Sequence, residues 1–323
     1  MRANYLVRRV AFAAITTVIA ITLNFVLFRA IPGNATTALR CEQCSPEVKK
    51  ELAKNLGLDR ALPIQFGYYV GDLAHGDLGS SLTSHLAVTH EIAHPLLNTL
   101  PMVGLGLLFA IVLGVFTGVV AAWRRGGVTD RAGLFTSLAF YSMPSQWLGL
   151  IMVFFVAPAL RLPTAGVKSI PLGILHPASE WTIIVDRLQH MTLPALTLGL
   201  VLYGQYAIVV RSAMLETLGD DYVLTARAKG LSPWRTLWQH AFPNARLPLI
   251  TLIALSVGYI VGGVVVIETV FSYPGIGLAV LDAINRRDYP VLQGAFLVLT
   301  CAVIAANLIA DLLYGRLDPR VRS

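Results

Sequence analysis

His90-Glu91-Ile92-Ala93-His94 is the segment of the chain that most resembles a catalytic motif. On a helix, H-E-x-x-H places two imidazoles one turn apart to grip zinc while the glutamate activates water. Two features argue against that chemistry here. His94 immediately precedes Pro95, and the residue before a proline is pushed away from helical dihedrals. No further His or acid stands in a recognisable third-ligand arrangement. Val88, Ile92 and Leu96 are spaced four apart, as on the apolar face of a short interfacial helix. The structural reading is preferred, and a membrane zinc protease built on His90, Glu91 and His94 is the remote alternative; no metal site is expected.

Two cysteines form a second pattern. Cys41 and Cys44 make a C-x-x-C without a second ligand pair, which favours a local disulfide or free thiols over zinc. Cys301 falls inside an apolar run and is expected to pack there. A phosphate-cradling loop is missing: Gly-x-x-x-x-Gly-Lys-Ser/Thr does not occur, and no Lys directly follows a Gly. The chain is therefore expected to bind no cofactor of its own and to lack an ATP site. Any ATP and magnesium belong to a partner.

The elements that must carry these residues are membrane helices. The 323 residues are 55% hydrophobic and 13% charged, with a mean hydropathy of +0.66, which excludes an ordinary soluble domain. Six runs without a charge approach or exceed the length of a span: Val10 to Phe28, Leu96 to Ala122, Ala132 to Leu160, Met191 to Val210, Leu247 to Ile267 and Tyr289 to Ala310. They show no period of 2, so a β-barrel is excluded and helices remain. The first run is longer than the core of a signal peptide and is expected to be retained. An all-α polytopic membrane protein follows.

Orientation follows from basic residues. With the N-terminus inside, the short inner segments hold 14 Lys and Arg against 11 in the longer outer ones, which places both termini in the cytoplasm. The net charge of +7 is what such a topology produces, and it requires no nucleic acid. The expected organisation is a first span over 1–31, an extracytoplasmic subdomain over 32–95, a five-helix core over 96–315 and a cytoplasmic tail over 316–323. In the subdomain, Ser45-Pro46 opens one short helix that ends near Gly57. Pro63 opens another whose apolar residues are Ile64, Phe66, Tyr69, Val70 and Leu73.

The core contains a cytoplasmic loop over 212–246 with its own helical signals. Asp220 and Asp221 can cap a helix Tyr222 to Lys229, Gly230 can end it, and Ser232-Pro233 can start another running to about His240. Glu268 and Asp311 each sit at the end of an apolar run. Glu268 is either a translocation-path residue or a cap for the Pro-Gly loop that follows, and Asp311 reads as an interface or packing residue.

Residue identity in the loop goes further than periodicity. Asp221-Tyr222-Val223-Leu224-Thr225-Ala226-Arg227-Ala228-Lys229-Gly230-Leu231, then His240-Ala241-Phe242-Pro243-Asn244-Ala245, resembles the EAA loop of ABC importer permeases. Ala226, Gly230 and Pro243 match that pattern at the family spacing. Leu224, Thr225, His240 and Phe242 depart from it in the manner of the peptide and nickel branch. Leu56-Gly57-Leu58-Asp59, Gly76-Asp77-Leu78-Gly79-Ser80-Ser81, Asn98-Thr99-Leu100, Glu268 to Gly277, Arg287-Asp288-Tyr289-Pro290 and Asp318-Pro319-Arg320 are similar to the B-type subunit of dipeptide and oligopeptide permeases.

This resemblance implies a type I importer permease with six spans that takes up peptides by alternating access. It implies four kinds of partner: a second homologous permease, two cytoplasmic ATPase subunits or one fused ATPase, an extracytoplasmic binding protein and the peptide itself. The coupling loop would contact the ATPases, with Arg227 and Lys229 supplying charge and Tyr222, Ala226 and Leu231 supplying packing. A secondary transporter is the alternative, but it would be expected to carry buried acids or histidines in several spans, and these runs are almost free of them.

Overall fold

A computed structural model describes residues 3–30, 60–169 and 179–317. Cys41, Cys44, the helix expected from Pro46, Leu56-Gly57-Leu58-Asp59 and Asp318-Pro319-Arg320 lie outside the described residues. The described chain is helical throughout, apart from loops and one isolated antiparallel bridge between Ser80 and Ala87.

The first helix, α1, runs Ala3–Ala30, and α2 runs Leu62–Ala74 with its proline in the first turn. Proline is tolerated there because the N–H it lacks would have no helical partner. The inward face of α2 differs from the expected one. Phe66 and Tyr69 pack on Phe25 of α1 with ring centroids 5.3 and 5.6 Å apart, while Ile64 and Val70 stay exposed and Gln65 is buried.

Two long helices form the centre of the bundle: α3 over Val88–Trp123, and a later helix over Glu180–Thr217 described below as α7. Their contact depends on small residues. A Cβ on Gly114 would collide with Tyr206, and one on Gly118 would meet the Ala207 carbonyl and Val210. In lipid, helices gain little from the hydrophobic effect, so close backbone approach at glycine supplies much of the association. Tyr206 is fully buried at this seam, and its hydroxyl donates to Ser256 at 2.7 Å.

The third apolar run is not one straight span. Helix α4, Val128–Ser142, stops at Met143-Pro144, and the chain turns by 106° into α5, Ser145–Ile151, followed by a π turn Met152–Val156 and α6, Ala157–Leu160. Pro144 explains the break: Met143 before it is extended, with ψ 126°.

After α7 come α8, Asp221–Ala228, and α9, Pro233–Arg235. A π turn Thr236–Ala241 then leads into α10, Phe242–Val270. The expected boundary near His240 does not exist, because the second arm of the loop passes without interruption into the fifth apolar run. Helices α11, Ile276–Arg286, and α12, Tyr289–Leu317, complete the chain. Four described helices are each long and apolar enough to cross a membrane, and the bent pair reaches that length and apolarity when its two arms are taken together. The 29-residue α10 covers the run from Leu247 to Ile267.

Candidate coupling loop and its supporting clamps

Helix α8 ends in a complete left-handed cap. Gly230 has φ +75°, its N–H donates to the Arg227 carbonyl at 2.9 Å, and the Leu231 N–H donates to the Ala226 carbonyl at 3.4 Å. This is the Schellman pattern, and it needs a residue without a Cβ penalty at the left-handed position. Nothing lies within 4 Å of a Cβ built at Gly230. The requirement for glycine is therefore conformational and not one of space within the chain. At the other end, Asp220 is the N-cap by backbone geometry but makes no side-chain capping bond. Asp221 lies in the first turn, where its charge favours the positive end of the helix.

The two faces of α8 divide differently from the sequence expectation. Val223 is buried in the chain's own core alongside Leu237 and Ala241 of the π turn, and Ala226 is buried as well. Ala226 therefore does not belong to an outward contact surface. Tyr222, Leu224, Ala228 and Lys229 are exposed, as is Trp234 on the second arm, and Leu231 is half-buried. Arg227 is folded back over the Trp123 ring, 4.9 Å from its centroid. This cation–π contact occupies one face of a charge that the sequence assigns to a partner.

The second arm is braced by two hydrogen bonds. The Ser232 hydroxyl accepts from the Arg235 N–H at 3.4 Å, and the Asn244 side-chain amide donates to the Tyr222 hydroxyl at 2.6 Å. His240 and Pro243 are half-buried at the π-to-α junction, where Pro243 stands in the first turn of α10.

Below the loop lies a clamp that the sequence reading missed. Arg211, near the end of α7, donates through Nε and an Nη to the two oxygens of Asp130 at 2.6 and 2.9 Å, and the Gly126 N–H adds 2.9 Å. The bidentate fork fixes distance and orientation together. An arginine and an aspartate 81 residues apart carry no local signal, so only the packing of α4 on α7 reveals the pair. At the same end, Arg9 pairs with Asp311 at 3.0 Å and joins the first and last helices.

The opposite end of the bundle contains Glu268, fully buried. Its carboxylate accepts from the Thr99 hydroxyl at 2.5 Å and from the Leu278 N–H in the first turn of α11 at 2.8 Å. Thr99 in turn accepts from the Ile276 N–H at 2.9 Å. A Cβ on Gly275 would collide with the Glu268 carboxylate and the Thr99 hydroxyl. The geometry makes Glu268 the cap of α11 and its link to α3, with both oxygens committed. It does not place the residue on an open path.

Asp288 acts similarly toward the loop before α3. Ser81 and Thr83 hydroxyls donate to it at 2.5 and 2.8 Å, and the Leu82 and Thr83 N–H groups each at 3.2 Å. Burial pushes this carboxyl up, but the hydrogen bonds outweigh burial and hold it below the usual carboxylate range.

His90 and His94 lie within an unbroken α3, which continues through Pro95 and Pro101. The distortion expected before Pro95 is absent. Both imidazoles are exposed and face each other with ring centroids 5.6 Å apart. Among the described residues, no group of three His, Cys, Asp or Glu is arranged to hold a metal. Val88 and Ile92 are core residues packed with Ile276 and Val291, so this segment is part of the bundle and not a separate surface helix.

A polytopic helical bundle with a capped loop at one end and a strapped loop at the other is the architecture of a transport subunit, and comparison with known proteins agrees. Residues 98–323 match the model of the binding-protein-dependent transport system inner membrane component. Residues 2–95 match that of the N-terminal part of such membrane components. The chain belongs to this family. It is 39% identical over 331 residues to the di/tripeptide transport system permease protein DppB of Pseudomonas aeruginosa, covering 99% of this chain and 98% of the relative. It is 37% identical over 335 residues to the dipeptide transport system permease protein DppB of Escherichia coli K12, with the same coverage. A probable peptide ABC transporter permease protein of Sinorhizobium fredii is 36% identical over 320 residues, covering 98% of this chain and 99% of the relative.

Proposed function

We propose that this chain is the membrane permease of an ATP-driven importer of peptides, with ATP and magnesium bound by partner subunits. The observation that carries the reading is the form of the 212–246 loop. Its inner face is fused to the bundle through the buried Val223 and Ala226 and through α10, while its outer face leaves Tyr222, Leu224, Trp234 and Lys229 exposed. A stiff element exposed in this way can turn closure of two ATPases into a tilt of α10, because arm and span are one continuous helix.

Peptide as the substrate is supported by the names of the relatives and by the near-complete coverage of both chains. The excess of basic residues in the short inner segments supports cytoplasmic termini, which sets the 212–246 loop inside and α11 outside. A second homologous permease, two ATPase subunits or one fused ATPase and an extracytoplasmic binding protein complete the proposed complex. The test is purification of the tagged chain with its subunits and reconstitution in liposomes. Copurification of an ATPase and ATP-dependent peptide accumulation are expected. Peptide uptake driven by a proton gradient without ATP would replace this reading with a secondary transporter.

A further inference from the structure

The strapped end of the bundle holds a cavity that the coupling machinery does not use. It lies between α11, the start of α3 and the loop closed by Asp288, with a volume of about 250 Å³. That is on the order of eight water volumes, and it falls just below the range of drug-sized ligand sites, about 300–1,000 Å³. Leu278, Asp282 and Arg286 stand four residues apart on α11 and share one face, and all three line the cavity. Glu91 of α3 lines it as well, with Pro95 and Val291 adding apolar wall.

The charges in this cavity are unpaired. Glu91 is half-buried, Asp282 and Arg286 stand exposed at the rim, and none of the three forms an ion pair with any described residue, although Asp282 and Arg286 have the one-turn spacing at which helical ions commonly meet. Asp288 is already committed to Ser81 and Thr83. The cavity thus combines free groups of both signs with an apolar wall, the composition of a small polar-ligand site. A purely cationic ligand is repelled by Arg286, and a purely anionic one by Glu91 and Asp282. A ligand carrying both charges satisfies all three.

We propose that this cavity binds a small zwitterion of the amino-acid or dipeptide class. Its ammonium faces Glu91 and Asp282, its carboxylate faces Arg286, and its side chain lies against Pro95 and Val291. This gives Glu91 a role that requires no zinc. The inference rests on the importer reading for the choice of ligand and for the outward position of the site.

The test is calorimetric titration of alanylalanine into the full chain in nanodiscs, with its assembled subunits and without binding protein. Saturable binding is expected. Arg286→Gln and the pair Glu91→Gln with Asp282→Asn should each weaken it by about tenfold or more. N-acetyl-alanylalanine and alanylalanine amide should lose affinity similarly. Because these analogues need no mutation, they decide the question even if a variant folds poorly. Absence of saturable binding, or binding unaffected by the variants and by capping either end, overturns the proposal. So does lysinamide binding that matches alanylalanine, which would identify a pocket for a basic side chain of a partner protein. Failure of the importer reading appears separately, as the absence of a copurifying ATPase.

Discussion

The side-chain amide of Asn244 donates to the hydroxyl of Tyr222 at 2.6 Å and closes the two arms of the 212–246 loop across 22 residues. One partner belongs to the short helix α8 and the other to the first turn of α10. A force applied to α8 is therefore delivered to a transmembrane helix through a hydrogen bond as well as through Val223 and Ala226. Tyr222→Phe removes only this brace. It should cost about 0.5–1.5 kcal/mol of loop stability and lower ATPase stimulation severalfold. Hydrogen exchange of α8 amides in the variant checks this, with faster exchange confined to the loop expected.

Arg211→Ala should destabilise the bundle by about 2–4 kcal/mol, because it leaves the nearly buried Asp130 carboxylate without its bidentate partner. Arg211→Lys should recover only part of the loss, since an ammonium cannot form the fork. Thermal unfolding in detergent compares the three proteins, and equal midpoints for Arg211→Ala and wild type would remove the clamp from this account.

Glu268→Ala should behave as a stability variant. It leaves the Thr99 hydroxyl and the Leu278 N–H without their acceptor in a buried site, at about 1–3 kcal/mol for each unsatisfied group. Yield and thermal midpoint should fall, while transport per folded complex stays closer to wild type. Normal yield with abolished transport would instead return Glu268 to the translocation path.

The Asp288 strap sets a pH dependence with a defined sign. Its folded carboxyl lies below the unfolded value of about 3.9. Its contribution is therefore fully present above pH 4 and is lost as pH falls through the folded value. The difference in thermal midpoint between wild type and Asp288→Asn should be constant from pH 7 to pH 5 and should shrink below about pH 4. A gap that widens with acidification contradicts the assignment.

His90→Gln with His94→Gln should leave uptake and stability nearly unchanged, since both rings are exposed and contact mainly each other. Metal analysis of the purified protein provides the counter-test. Stoichiometric zinc that disappears with either change would restore the hydrolase reading.

The all-α class, the apolar runs and the position of Gly230 were legible because each rests on local chemistry: run length, charge exclusion and the left-handed cap. The 106° break at Pro144 was not read, because the run from Ala132 to Leu160 is free of charge and reads as a single span. The continuous entry into α10 escaped notice because a proline at position 243 suggests a start, and the preceding π turn has no sequence signature of its own. Of the clamps, only the capping role of Glu268 was legible, as one of its two readings, and none of the distant partners was. Asp130 with Arg211, Thr99 with Glu268 and Ser81 with Asp288 are separated by 81, 169 and 207 residues, and such pairing is decided by tertiary packing.

The central claim is that the 212–246 loop couples ATP hydrolysis to movement of the spans, and Gly230→Val tests it most directly. The substitution forces a β-branched residue into φ +75°, at about 1–2 kcal/mol, and opens the cap that orients α8 while leaving the bundle untouched. The measurement is substrate-stimulated ATPase activity, with uptake, in the reconstituted transporter. The account predicts a variant that inserts normally but shows weakened ATPase recruitment, or hydrolysis that no longer responds to substrate. Wild-type recruitment, stimulation and uptake in Gly230→Val would show the loop to be only a connector.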